Sequence, residues 1–365
     1  SLYILAQCCT IRTVMLRYGL NIDRDFIVPF FFRFQYVYGV AILGVHAIVF
    51  YLFLFHTKQW ARAVRTGYLL NQVQMLAHDV WTCFLLRGYT LLPYPIVFCT
   101  TSVCAIIGGR LFYTIENVFM VHATCVFLFM LLMMHQQIMP PTSKLVMPRW
   151  FLLVFVCTLY AFLSLNPISS FITVSDPPNK KEMLSRPELE WVTHVASEMA
   201  ILGDIGCCGE YKYSVYVIVA STAVAGPLRV LVVVSSTRFL KKQVVVTSRA
   251  TRMKQLIVEI LIKQITFASI FYIYPLLLNG MFCQFQIAFL PDIVLIVVRA
   301  AFAMLYMLNT SAQFFVMIRA HSHFRKALRD TARRFLDWFR RKKPTIGSTN
   351  TASTATTVVV VESSH

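Results

Sequence analysis

The sequence predicts an all-α, polytopic membrane bundle of seven spans, and three observations carry that reading. The 365 residues are 58% hydrophobic but only 14% charged, whereas a soluble domain carries about a quarter charged residues. The apolar residues gather into runs of about 20, the length of helix that crosses a hydrocarbon core of about 30 Å. No period-2 alternation runs through them, and lipid tolerates only segments that close their own hydrogen bonds, so the runs read as helices and not barrel strands.

Taken in order, the runs are Phe34 to Phe55, Tyr68 to Leu86, Leu111 to Met134, Trp150 to Phe171, Tyr213 to Val234, Leu256 to Leu278 and Ile293 to Ile318. A further run, LLPYPIVFCTTSVCAII, is interrupted by proline. Counting it as a span would put most of the downstream cations outside, so it reads as an outer loop folded against the bundle.

Lys and Arg choose the sides. One set of alternate connections holds 21 of them, the other 10, and the long loop Thr173 to Lys212 of the poorer set carries seven of the sixteen acids. Cations mark the cytoplasmic face, which places the amino terminus outside. Residues 1–33 then form an extracellular segment, 34–318 the seven-helix domain, 319–343 a basic cytoplasmic helix and 344–365 a Ser/Thr-rich disordered tail. The stretch TRMKQLIVEILIKQITFASIFYIYP enters the bilayer from the cytoplasm, with Arg249, Arg252 and Lys254 at the inner headgroups. After the last span, Phe324, Leu328, Phe335 and Phe339 recur at helical spacing opposite many cations, as in a helix lying on anionic inner-leaflet lipid. The hydroxyl-rich tail offers sites to a kinase or an arrestin. A net charge of +18 would suit nucleic acid, but its placement between apolar runs favours the membrane, and nucleic acid is not expected as a partner.

Seven helices with an outside amino terminus resemble the G-protein-coupled receptor architecture. YLLNQVQMLAHDVWTCFLLRGYTLLPYP resembles the second helix of nematode serpentine chemoreceptors of the Str superfamily, nearest the Srh and Sri branches, through Leu69, Leu70, Asn71, Asp79, Pro93 and Pro95. SRATRMKQLIVEILIKQ with its later Tyr-Pro is similar to that family's sixth-helix entry, through Ser248, Thr251, Gln255, Gln264 and Pro275, and MLNTSAQFFVMIRAHSHFRKAL to its seventh-helix exit. The resemblance covers roughly Arg33 to Leu328. It implies a plasma-membrane receptor in sensory-neuron cilia that binds small environmental chemicals and signals, in olfaction, through heterotrimeric G proteins. Two departures bear on coupling. LLMMHQQIMPP at the inner end of the third helix has no Arg, which leaves His135 and Gln136 to contact the sixth helix or the G protein, and Thr266 and Phe267 stand where the family's first sixth-helix proline falls.

Ionisable groups inside a bilayer invite functional hypotheses. Asp79, twelve residues into the second span, is either a rearranging activation site or a hydrogen-bonded packing residue. Glu116 and Arg299 lie at matching depth, roughly 9 to 10 Å below the outer surface at about 1.5 Å per residue. They are expected to pair beneath a ligand cavity, to meet a polar odorant, or to snorkel separately. Tyr113, Asn117, Tyr213, Tyr216, Tyr272 and Asn279 fall toward the outer half as further candidate ligand contacts, and aromatic-belt residues would look the same. Pro275 favours a kink and pivot, and Glu259 and Lys263 can neutralise each other four residues apart. Cys99 and Cys104 before the third span and Cys207 and Cys208 in the long loop are disulfide candidates, with a bond between the two regions expected outside the cell.

Other function classes are weaker. An insect-type odorant or taste channel also has seven helices but keeps its amino terminus in the cytoplasm, against the cation count. A transporter or intramembrane enzyme lacks support from inverted repeats, HExxH or paired aspartates, since the GDIG at Gly203 lies in a loop. Neither catalysis nor a cofactor or metal is expected.

Overall fold

The computed structural model describes residues 19–57, 62–92, 94–139, 143, 146–174, 180–203, 209–243, 290–320 and 322–341, together with 255, 258–259, 262–263, 265–267 and 269–273 of the sixth span. Among the described residues five helices are long and apolar enough to cross a membrane, and the chain is a polytopic helical membrane protein. Its outward surface supports this independently. Phe26, Phe30, Trp150, Leu153, Val230, Leu231 and Ile293 are all at least 60% exposed, a density of bare apolar side chains that water would not tolerate but lipid does.

Helix α1 begins earlier than residue 34. It runs as Leu20–Ile22, a π-wound turn Asp23–Ile27 and Val28–His56, with Pro29 in the first turn of its last part, where a missing N–H costs nothing. The charges in this added stretch are neutralised in place. Arg24 donates to Asp25 at 2.6 Å, and Asp23 is buried against a partner described below.

Helix α2 spans Arg62–Val80 and continues π-wound through Trp81–Leu86. It packs between α1 and α4, the helix Gly109–Ile138. Asn71, Gln72, Gln74, His78, Asp79 and Thr82 are all buried, so this span's polar residues face the bundle, and its low hydropathy keeps it off the count of five.

The proline-interrupted run after α2 is indeed a folded loop, but it contributes strands, which the sequence did not suggest. Strands β1 (Gly88–Thr90), β2 (Ile96–Cys99) and β3 (Glu198–Ile201) form an antiparallel sheet in the order β1-β2-β3, with Gly88 opposite Cys99 and Ile96 opposite Ile201. The long acidic loop thus supplies the third strand. Every residue of β2 is buried, which removes the alternation by which a half-exposed strand is recognised. Helix α3 (Ser102–Ile107) follows, and Gly108, at φ 80°, makes the left-handed step into α4. Gly109 then passes so close to the Met199 carbonyl that a Cβ would overlap it.

The fourth span is broken at Ser164 into α5 (Arg149–Leu163) and α6 (Leu165–Thr173), with Pro167 in the first turn of the second piece. Short helices α7 (Lys180–Leu184) and α8 (Glu190–Val195) lead to β3, and α9 (Tyr211–Gln243) is the fifth span, carrying Pro227 in its interior. Described residues of the expected sixth span are helical, with a π-wound turn at Ser269–Ile273. Helix α10 (Asp292–Ala320) and α11 (Ser322–Arg341) are the last described elements.

Aromatic packing seats the sheet on the bundle. Phe31 of α1 meets the Tyr89 ring edge-on at 5.5 Å, and Phe98 of β2 meets both Phe32 and Trp191 at 6.1 Å. At the opposite end, Phe324 of α11 packs edge-on against Phe53 of α1 at 6.0 Å. Phe324 and Ala327 are buried in the same cluster as Met130, Met134 and Met317, with Leu328 packed against it. The side chains of Phe335 and Phe339 lie outside the described residues.

Candidate functional site

Beneath the sheet lies a cavity of about 130 Å³ lined by residues of α1, α2, β1, β2, α4 and α10. Its walls are mostly apolar, with Phe31, Phe112, Met120, Phe302 and Met307. Four of the expected ligand contacts, Tyr113, Glu116, Asn117 and Arg299, line it. Glu116 and Arg299 therefore share one cavity, but they do not pair with each other.

Arg299 is fully buried and forms its ion pair with Asp23, also fully buried, at the start of α1. The same carboxylate accepts from the Tyr89 hydroxyl at 2.9 Å, and Arg299 donates to the Leu92 carbonyl. One guanidinium thus binds α1, the loop between the first two strands and α10 together. Snorkelling is excluded for it, because its charge is satisfied inside the fold. Burial and then the Asp23 charge raise the pKa of the Tyr89 phenol, which keeps it a donor.

Glu116 turns the other way. It accepts from the Tyr306 hydroxyl, and His78 Nε2 lies 3.4 Å from its Oε1 and 3.1 Å from the Tyr306 oxygen. Its second oxygen, Oε2, is buried with no partner among the described residues. Asn117 is occupied structurally, donating to the Tyr113 carbonyl and to Ser170 Oγ, each at 3.2 Å, and Ser170 in turn bonds Ser214 of α9 at 2.7 Å. The Tyr113 hydroxyl bonds that of Tyr211.

Below the cavity, His78 Nδ1 sits 3.6 Å from Asp79 Oδ1. Asp79 accepts from Thr310 of α10 at 3.0 Å and bonds His46 of α1 at 2.8 Å. Gln72 donates to His46 Nδ1, so the other imidazole nitrogen, Nε2, carries the proton given to Asp79. A continuous polar chain therefore runs from Glu116 through His78 and Asp79 to three helices, inside an otherwise apolar interior. Low surrounding dielectric makes such a network costly to leave half-satisfied.

No known family's profile matches the chain, and no curated protein matches it significantly.

The remaining candidates separate clearly. Tyr213 and Tyr216 are each 55% exposed on the outward side of α9, with the Lys212 ammonium 5.1 Å from the Tyr213 ring; they face the surroundings of the bundle and not the cavity, as belt residues do. The Tyr272 side chain, Asn279 and Pro275 lie outside the described residues, as do Arg249, Arg252 and Lys254. His135 is buried and bonds Ser235 of α9 at 3.0 Å, while Gln136 accepts from the Met147 backbone at 2.8 Å. Among the described residues these two therefore bind α9 and the connection that follows α4. Glu259 and Lys263 do pair, at 2.6 Å. Cys99 is bonded to Cys104, so the described half of the expected bridge closes within one loop, and Cys207 and Cys208 lie outside the described residues.

Sequence reasoning overlooked Asp23, His46, His78 and Tyr306. A signal existed for the two histidines, which stand inside apolar runs where an ionisable group is expensive. Nothing in the sequence joined Asp23 to Arg299, 276 residues away.

Proposed function

We propose that this protein is a chemosensory receptor of the seven-helix, G-protein-coupled kind, with the sheet end outside, working at the plasma membrane of sensory cilia. The observation that carries the reading is the Glu116 carboxyl, which lines a roofed cavity on one side and opens the Asp79 chain on the other. A ligand donating a hydrogen bond to Glu116 Oε2 would compete with Tyr306 and His78 for that carboxyl. The shift would reach α1, α2 and α10 through Asp79, a population change between two packings. At about 130 Å³, a little under the roughly 150 Å³ of an apolar cavity that takes up benzene, the cavity suits a small molecule unless it widens, which favours a small amine or alcohol. A heterotrimeric G protein would meet the basic opposite end, against the α11 side.

The test expresses the protein with reporters for cAMP, cGMP and calcium, applies small amines, alcohols and their donor-free ethers, and records membrane current in parallel. Glu116→Gln should keep surface expression and lose the response to donors. Current that persists with G proteins blocked would favour a ligand-gated channel instead. Responses to ethers as strong as to alcohols would remove Glu116 from recognition.

A further inference from the structure

A second, larger cavity of about 580 Å³ lies between α4, α6, α9 and the described part of the sixth span. None of the first cavity's polar groups lines it. It holds instead a charge that nothing satisfies among the described residues. Arg229 of α9 is 9% exposed and lines this cavity, and its Nε has no partner among the described residues. No hydrogen bond or ion pair to any other atom of its guanidinium exists among the described residues either. A guanidinium stays charged at any accessible pH, and a buried, unpaired charge is among the most expensive things a fold can hold. Counter-charge is therefore expected from outside the described chain.

Two more buried polar atoms in the same cavity are also unpartnered among the described residues: Asn166 Oδ1 and Ser221 Oγ. Ser221 stands eight residues before Arg229, about 12 Å away along the helix at 1.5 Å per residue. The space between is apolar or small, with Ala225 and Gly226 on α9 and Ile262 and Ile265 opposite. A Cβ built on Gly226 meets nothing within 4 Å. The cavity's edge includes Val230 and Ile270, 62% and 44% exposed, so it opens sideways to the lipid.

We propose that this cavity binds an amphiphilic carboxylate entering from the bilayer, its head on Arg229 and its apolar body lying along α9 toward Ser221 and Asn166. The planar guanidinium fork matches a carboxylate in two parallel hydrogen bonds. The volume falls within the roughly 300–1,000 Å³ of small-ligand sites. A single cation suits a monoanion better than a phosphate dianion.

The experiment uses the full chain purified into nanodiscs of phosphatidylcholine, with a diazirine-bearing twelve-carbon fatty acid and its methyl ester as probes. Saturable labelling by the acid is expected, at least tenfold stronger than by the ester, in the peptide spanning Ile218 to Val233. Arg229→Gln should lower it at least tenfold and Arg229→Lys should retain part of it. Gly226→Leu fills free space while keeping the guanidinium, and should block labelling even if Arg229→Gln does not fold. Equal labelling by acid and ester, or full labelling of Gly226→Leu, would overturn the proposal. So would displacement by phosphatidic acid in the nanodisc but not by unlabelled fatty acid, which would place a lipid phosphate there.

Discussion

Replacing Arg299 with Met should destabilise the protein heavily, and replacing Asp23 at the same time should undo most of the damage. Both side chains are fully buried, so removing either one strands the other in a dry interior. Among the described residues Asp23 would keep only the Tyr89 hydroxyl at 2.9 Å, and Arg299 would lose the buried carboxylate that faces it. Breaking a buried pair from one side costs about 3–5 kcal/mol, whereas exchanging both partners for neutral groups is often close to neutral. Each single variant, Arg299→Met or Asp23→Asn, therefore removes a large part of a total stability of about 5–15 kcal/mol. The double variant should lose no more than about 2 kcal/mol, since the amide that replaces the Asp23 carboxylate still accepts from Tyr89 and the Met side chain fills the guanidinium's path. The resulting coupling is about 3 kcal/mol or more, over a hundredfold in the folded-to-unfolded ratio. Thermal unfolding of the four proteins in one detergent reads it out. Losses that simply add, with coupling below about 0.5 kcal/mol, would refute the pair. The same cycle on Arg299 and Glu116, which share the cavity without bonding, should show the weaker coupling.

Peptide mapping without reduction should find Cys99 linked to Cys104, and a peptide joining either of them to Cys207 or Cys208 would contradict the loop geometry. Gly109→Ala pushes a methyl into the Met199 carbonyl and should cost about 1–3 kcal/mol in thermal unfolding, whereas Gly226→Ala, in open space, should be neutral or stabilising by up to about 1 kcal/mol. Alkaline stability reports on Tyr89. Its phenol is raised in the folded state, so its contribution is intact below about pH 10, the ordinary tyrosine value, and declines above it as only the unfolded chain ionises. Tyr89→Phe should lie lower at neutral pH but decline less steeply between about pH 10 and 11; parallel curves would count against the shift.

The spans were legible where hydrophobic length alone decides them. Leu111 to Met134, Tyr213 to Val234 and Ile293 to Ile318 each lie inside an observed helix that extends beyond both ends, because the flanking turns are polar but still helical. The first helix begins at Leu20 and not at Phe34, since a helix can carry Asp23, Arg24 and Asp25 where they are neutralised locally or by Arg299. The sheet was illegible for a different reason: strands of three or four residues, with the central one buried throughout, carry no periodic signal, and β3 joins from about a hundred residues downstream. In the candidate site, Glu116 and Arg299 were found by the cost of intramembrane charge, and so was Asp79. The same criterion applied to His46, His78 and Arg229 would have pointed to the polar chain and to the second cavity. Partner choice was beyond it, since depth along a helix does not fix the direction a side chain takes around it.

Sided chemical labelling shows which end of the bundle faces outside. Glu190, exposed at the sheet end on α8, and Lys326, exposed on α11, are each replaced by Cys, and intact cells are treated with a membrane-impermeant maleimide. The account predicts that Glu190→Cys labels above the parent chain and that Lys326→Cys labels only after permeabilisation; labelling of Lys326→Cys on intact cells would place the cavity on the cytoplasmic side and contradict it.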